Sequence, residues 1–333
     1  MKPRYLAATL IAFVALAASS CAVDRAEDSD AISQKILDAW IKVNYGDNVK
    51  QTASGAYILE FEQGTGDLVG DSSYVFSHYV KTDLSGNVSS TNSKELNQKI
   101  GAFSYADYYG CNIWRIGQGS IFSGVEELMK TMRVGGRAKL ALPPKATAID
   151  STTIYRAFSA PESNCCIFEF TVEKIVEDIT KYQWDMLEEY SRTYCGGIDS
   201  IGEGFYLYKI KECTEATDTI PDGTTIKVNY IGRRLDNSVF DTNIQDSSKF
   251  YRLYSSDGTY DPLDVEFYSD IESMAEKNSD YIAGYTYALH RMNYGEKAIA
   301  FFASPLGYGD TGSSTSIPEY CPLCFYLEVE EKD

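Results

Sequence analysis

One spacing of residue types occurs twice in this chain of 333 residues, and that internal repeat limits its fold more than any other feature. Gly124 is followed by Met132, Gly135 and Ala138, and Gly284 by Met292, Gly295 and Ala298, at the same intervals of 8, 3 and 3. Leu128-Met129 and Ala288-Leu289 add apolar pairs at helical spacing, and Gly135 and Gly295 supply the permissive backbone that ends a helix. Each copy therefore predicts a short helix, a glycine turn and a strand, Arg137 to Leu142 or Lys297 to Ser304, with a proline behind it. Two strands are expected before each helix: Ala56 to Glu62 and Ser73 to Thr82 in the first copy, Phe205 to Lys211 and Thr225 to Gly232 in the second. The second of each pair runs into a polar turn, Leu84-Ser85-Gly86-Asn87 or Leu235-Asp236-Asn237-Ser238. Ile167 to Ile175 and Leu323 to Val329 are the closing strands. Antiparallel strands with one short helix per copy make an α+β protein, each helix covering a curved sheet.

The ends and the connector complete the organisation. Lys2 and Arg4 precede the apolar run Leu6 to Ala18, which is shorter than the roughly 20 residues of a membrane-spanning helix. Ala18, Ser19 and Ser20 then lead into Cys21, a layout similar to a bacterial lipoprotein signal in which the cysteine is acylated. A plain secretory signal with an incidental cysteine is the alternative. The lipoprotein resemblance implies a lipid-anchored protein of the cell envelope, at the outer membrane and facing the periplasm or the cell surface, with the anchor as its only membrane contact. The carboxylates between Asp24 and Asp30 read as a solvated tether. Ala31 to Val43 places Ile32, Ile36, Leu37 and Trp40 on one helical face. Asp178 to Tyr194 carries a second apolar stripe and breaks at Gly196-Gly197, as either a connector or a core helix belonging wholly to the first copy. The expected division is 1–20 signal, 21–53 tether and helix, 54–176 first domain, 177–201 connector and 202–333 second domain.

A net charge of −18 and a pI near 4.6 exclude a basic face for nucleic acid. Setting Cys21 aside leaves seven cysteines, too many by one for complete internal pairing. Cys321-Pro-Leu-Cys324 has the spacing of a redox or zinc half-site, but there is no second such pair and only His78 and His290 are available as imidazoles. Buried or disulfide cysteines are the expectation, with no metal site.

The second copy contains Val228-Asn229-Tyr230-Ile231-Gly232, Val239-Phe240-Asp241-Thr242, Ile282-Ala283-Gly284-Tyr285, Gly295-Glu296-Lys297-Ala298, Ser304-Pro305-Leu306-Gly307-Tyr308-Gly309, Ile317-Pro318 and Pro322-Leu323-Cys324-Phe325. In this order, from about Gly204 to the C-terminus, the segments resemble FKBP-type peptidyl-prolyl isomerases. The resemblance implies two FKBP-like domains and a chemistry that needs no cofactor, nucleophile or base. Tyr230, Phe240, Ile282 and Phe325 would line a proline pocket, with Tyr285 as its floor where the family usually has tryptophan. Tyr308 and the Ile282 N–H would donate to substrate carbonyls, Asp241 would be a fixed dipole held by a nearby hydroxyl, and Ile317 would sit on the rim. The implied partners are proline-containing unfolded or exported polypeptides.

Each of these residues also has an ordinary reading as core, turn or loop. Between Asp241 and Tyr281 the chain is longer than the family's flap by about 20 residues. Phe250, Tyr251, Tyr254, Tyr260, Phe267 and Tyr268 lie in this stretch, and they would wall or cover the pocket. The first copy keeps the scaffold and loses the pocket: Val88-Ser89 is expected at the Phe-Asp position and Val125 at the floor, Tyr79 becomes a packing residue, and no Tyr-Gly follows Pro143-Pro144. That domain is expected to be a spacer, a partner-binding module or a chaperone surface. For the whole chain the alternative is a non-catalytic chaperone or partner-binding lipoprotein.

Overall fold

The computed structural model describes residues 29–147, 164–202 and 204–332. The signal, Cys21, most of the tether and Ala148-Ile149-Asp150 lie outside them. Helix α1 (Ser29–Tyr45) opens the described chain. It meets the first domain along a narrow seam, where Leu37 and Ile41 pack on Ala141, Cys165 and Ile167. Ile32 and Ile36 are in solvent, at 43% and 55% exposure, so the buried stripe is narrower than the sequence pattern.

The first domain comprises β1 (Tyr57–Glu62), β2 (Tyr74–Ser77), β3 (Tyr79–Thr82), β4 (Val88–Thr91), α2 (Lys94–Ile100), β5 (Asn112–Arg115), α3 (Ser123–Met129), β6 (Arg137–Leu142), β7 (Cys166–Thr171) and β8 (Lys174–Val176). Its main sheet is antiparallel with the order β1-β6-β7-β3-β4, and β5-β2-β8 form a second sheet. The run expected as one strand from Ser73 to Thr82 is divided at His78, because its first half pairs with β5 and its second with β4 and β7. The closing strand is likewise divided into β7 and β8.

Helix α4 (Ile179–Tyr194) follows, capped by the Asp178 carboxylate, which accepts from the Lys181 N–H at 2.9 Å. Its first turns hold Ile179 and Tyr182 against Tyr74, Phe76 and Ile113 of the first domain. Leu187 and Tyr190, further along, pack on Tyr206, Phe301, Ala303 and Cys324 of the second. The buried Gln183 amide donates to Ser304 Oγ at 3.0 Å and accepts from the Ser304 N–H at 2.7 Å. The helix is therefore shared, which corrects the reading that assigned it wholly to the first domain.

The second domain contains β9 (Phe205–Lys211), β10 (Thr224–Arg234), β11 (Val239–Thr242), α5 (Gln245–Phe250), β12 (Leu263–Phe267), α6 (Ile271–Lys277), α7 (Ala283–Leu289), β13 (Lys297–Phe302) and β14 (Leu323–Val329). Its sheet has the order β9-β13-β14-β10-β11, with β12 added against the first half of β10. In chain order this is the same permutation as in the first domain: β9, β13, β14, β10 and β11 stand for β1, β6, β7, β3 and β4.

The repeated spacing now has a physical cause. A Cβ on Gly284 would lie 2.5 Å from the Phe302 ring, and one on Gly124 would lie 2.9 Å from the Ala56 Cβ, so each helix approaches its neighbours too closely for a side chain. Met132 and Met292 fill the core behind each helix, at 0% and 2% exposure. Gly135 and Gly295 take φ of 82° and 71°, the left-handed turn that admits the next strand. Ala138 and Ala298 begin that strand fully buried.

Among the described residues no helix is long and apolar enough to cross a membrane, and no cluster of three or more His, Cys, Asp or Glu could hold a metal. Cys111, Cys165, Cys195, Cys213, Cys321 and Cys324 form no disulfide. Burial pushes the Cys321 thiol up to about 12 and that of Cys324 to about 11, which disfavours the thiolate that metal binding or redox exchange needs.

Candidate active site

The site is built outward from β10. Its neighbour β11 sets Asp241 opposite Gly232, across the sheet from Tyr230. The Tyr230 hydroxyl donates to Asp241 Oδ2 at 2.5 Å, and Asp241 Oδ1 accepts the Thr242 N–H at 2.9 Å. Two side chains fix this edge. Thr242 Oγ1 donates to the Tyr230 carbonyl at 2.6 Å; the buried Asn243 accepts the Tyr230 N–H at 2.8 Å and donates to the Val228 carbonyl at 2.9 Å. Burial first, and then the charge of Asp241, raise the Tyr230 pKa, so its phenol stays protonated as the donor.

Around that pair stands an aromatic cup. Tyr285 on α7 lies edge-on to Tyr230, ring centroids 6.2 Å apart at 85°, and to Phe325, 5.7 Å apart at 75°. Phe240 meets Phe325 edge-on at 5.8 Å, and Phe325 stacks on Phe302 at 5.9 Å. The Phe240 ring lies 2.7 Å from where a Cβ of Gly232 would be, so glycine at that position lets the ring settle on the strand. Ile282, Tyr308 and Ile317 pack in the same cluster. The floor and one wall are closed, with Tyr285 and Phe325 at 4% and 5% exposure, while Tyr230, Phe240, Ile282 and Tyr308 are half-buried and Asp241 is exposed; Ile317, expected on the rim, is instead buried at 4% because it packs into the core. The residues predicted to form a pocket thus come together in one aromatic cup whose floor is buried and whose edge, at Tyr230, Phe240, Ile282, Tyr308 and Asp241, is partly or fully exposed.

Two polar groups of the cup are without partners among the described residues: the buried Tyr285 hydroxyl, and the Ile282 N–H just before the first turn of α7. The aromatics of the long insertion divide between core and surface. Phe267 and Tyr268 turn into the core, while Phe250 and Tyr254 on its outer part are 79% and 46% exposed.

The first copy preserves the framework and fills the space. Tyr79 lies opposite Phe170, as Tyr230 lies opposite Leu327, and Lys81 lies opposite Ser90, as Gly232 lies opposite Asp241. Ser89-Ser90 therefore occupies the Phe-Asp position, one residue beyond the expected Val88-Ser89. Both hairpins carry a bulge at the same place, which leaves Val88 opposite Thr82 and Val239 opposite Arg233. Tyr79 and Ser90 share a hydroxyl hydrogen bond of 2.7 Å, and Thr91 and Asn92 hold the Tyr79 backbone as Thr242 and Asn243 hold that of Tyr230. Tyr79 stacks on Phe168 at 5.5 Å and 3°, and Trp114 and Phe122, at 1% and 0% exposure, pack in the same core cluster.

The Thr-Asn brackets and a duplicated flap went unread in the sequence. In the flaps Tyr109 Oη bonds the backbone of Ser104 and Tyr260 Oη that of Ser255, while the Phe103–Tyr109 and Tyr254–Tyr260 rings stack at the same 5.4 Å. A constant offset of 151 residues, from Tyr79 to Tyr230, Asn92 to Asn243 and Tyr109 to Tyr260, was the available signal.

Parts of the chain are similar to known proteins. Residues 217–330 match the family model for FKBP-type peptidyl-prolyl cis-trans isomerases. A Haemophilus influenzae protein described as a probable FKBP-type peptidyl-prolyl cis-trans isomerase is 30% identical over 123 residues, covering 37% of this chain and 41% of that protein. The chain thus spans less than half the length of that relative. Among solved structures, the three FKBP domains of wheat FKBP73 align at 16% identity over 86% of this chain and 98% of theirs, with a TM-score of 0.31. A peptidyl-prolyl cis-trans isomerase from Pseudomonas syringae pathovar tomato aligns at 20% identity over 46% of this chain and 91% of its own, with a TM-score of 0.32. Residues 217–330 are thus similar to FKBP-type peptidyl-prolyl cis-trans isomerase domains, and the first half of the chain repeats the strand order of the second.

Proposed function

We propose that the second domain catalyses cis-trans isomerisation of X-Pro bonds, that the first does not, and that the clients are exported polypeptides met at the cell envelope by a protein anchored through Cys21. The observation that carries the reading is the open aromatic cup with Tyr230 bonded to Asp241 at its edge. Rotation about an X-Pro bond faces a barrier of about 18–20 kcal/mol, because the twisted amide loses its resonance. An apolar cup favours the twisted, less polar amide over the planar one, and fixed donors at the rim hold the flanking carbonyls while the ring turns. The Ile282 N–H and the Tyr308 side chain are those donors, and Asp241 contributes a dipole that Tyr230 and the Thr242 N–H keep in place. No bond is broken and no proton moves.

The test is the relaxation rate of a short X-Pro peptide with the full chain. Acceleration that is lost in Asp241→Ala and reduced in Tyr308→Phe supports the assignment; a rate equal to that of peptide alone sinks it. A second reading, a non-catalytic holding protein, draws on the exposed Phe250 and Tyr254. Suppressed aggregation of an unfolded client, with no effect on the peptide, would favour that reading.

A further inference from the structure

The flap of the first domain is not spent on its own pocket. Its segment from Tyr105 to Asn112 lies on the loop Ser313 to Tyr320 of the second domain, the loop that carries Ile317. The Tyr108 N–H donates to the Thr315 carbonyl at 2.9 Å, and Thr315 Oγ1 donates to Asp107 Oδ1 at 2.7 Å. Asn112 Nδ2 donates to Glu319 Oε2 at 3.2 Å, and Tyr320 sits edge-on to Tyr74 at 5.1 Å. Arg234, 3% exposed, ties both sides together: Nη1 donates to the Ala106 carbonyl at 2.9 Å and also to the Ser316 carbonyl, while Nε holds Ser238 Oγ at 2.7 Å. Charge-assisted bonds of this kind are the stronger ones in a protein interior.

The same loop faces the degenerate pocket. Tyr79, Ser90 and Asn92 of the first domain and Ile317, Pro318 and Glu319 of the second line one cavity of about 450 Å³. The mouth that would admit a client in the first copy is thus turned toward its neighbour. The flap of the second copy has the same Ser-Tyr lock but carries Gly258, Thr259 and Leu263 where the first has Asp107, Tyr108 and Asn112. The clasping side chains therefore belong to the first flap alone.

We propose that the first domain is a positioning module: Asp107, Tyr108 and Asn112 clasp the Ser313 to Tyr320 loop and so fix the buried Ile317, which packs behind the second domain's aromatic cluster. The clasp stands on these contacts alone; only its effect on rate rests on the isomerase reading. By fixing the loop behind the aromatic cluster the clasp lowers the entropy lost when a client settles there, so its loss weakens binding more than it slows rotation.

The test compares the full chain with the double variant Asp107→Ala/Asn112→Ala. Amide hydrogen exchange of residues 308–322 is expected to quicken about tenfold or more in the variant, with β13 unchanged as an internal control of folding. Unchanged exchange in that loop overturns the clasp whether or not the protein is an isomerase. If the wild type accelerates the X-Pro peptide, the variant is expected to raise KM several-fold with kcat nearly constant. Equal KM in the two proteins, alongside faster exchange, overturns the positioning role and leaves only a packing contact. A wild type with no effect on the peptide sinks the isomerase reading, while the exchange result still decides the clasp.

Discussion

Tyr79 and Tyr230 occupy the same place in two copies of one sheet, held by the same Thr-Asn bracket, and only the second faces an open cup. The bracket keeps the strand edge in register and is needed by any domain of this fold. The cup depends on a handful of side chains, and the first copy changed them in a coordinated way. Ser90 replaces Asp241, Ser89 replaces Phe240, and Val125 replaces the Tyr285 floor, while Trp114 and Phe122 stand where the second copy has Val265 and Ile282. The volume lost at the floor is returned by the indole and phenyl rings, so the core behind Tyr79 is close-packed and the cavity that remains lies between Tyr79 and the second domain's loop.

That comparison can be broken most forcefully by giving the second copy the first copy's filling. Ile282→Phe with Tyr285→Val is expected to reduce peptide isomerisation to the uncatalysed rate while the far-UV spectrum of the full chain is kept. Retained catalysis would show that the cup is not the site.

Glu319 offers the next largest effect. Burial between the domains pushes its carboxyl up to about 7. A group whose pKa is raised in the docked state contributes fully below its ordinary value near 4.5 and loses that contribution as pH rises through 7. The groups facing it are Tyr79, Asp107, Tyr108, Asn112, Arg234, Asp236 and Cys321; burial raises the tyrosines and the thiol, so these stay neutral, and Arg234 stays cationic. Between pH 5 and 8 the wild type is expected to lose up to about 3 kcal/mol of denaturation stability more than Glu319→Gln does. Parallel pH profiles for the two proteins would contradict it.

Gly284→Ala sharpens the packing side of the comparison. Its Cβ meets the stiff Phe302 ring at 2.5 Å, whereas that of Gly124→Ala meets a methyl group at 2.9 Å. The first substitution is expected to destabilise by about 1–3 kcal/mol in urea titration and the second by less. The smallest effect is expected from Tyr285→Phe, which removes a buried hydroxyl without a partner among the described residues. Stability should be unchanged or rise by about 1 kcal/mol, and a clear loss would reveal a partner for that hydroxyl.

The repeat was legible because glycine, methionine and alanine at Gly124 and Gly284 answer to contacts inside each domain, and such contacts recur wherever the fold does. The cup was legible for the same reason, since each ring sits at a fixed strand or helix position. What escaped the sequence depends on contacts between elements. The helices repeat at an offset of 160 residues and the flaps at 151, so the spacing that revealed one concealed the other. The one-residue displacement at Ser89-Ser90 follows from a bulge, which pairing decides and composition does not. Ile32 and Ile36 fit an amphipathic stripe but stay exposed among the described residues, and α4 carries one stripe that two domains share.

The central claim is that one copy works and its twin does not, and reciprocal exchange of two residues tests it. In the full chain, Phe240→Ser/Asp241→Ser makes the second cup resemble the first, and Ser89→Phe/Ser90→Asp does the reverse. X-Pro peptide isomerisation is expected to vanish in the first variant and to equal the wild type in the second, whose Trp114 and Phe122 still fill the core and whose Tyr79 still faces the second domain. Activity that survives Phe240→Ser/Asp241→Ser would contradict the account.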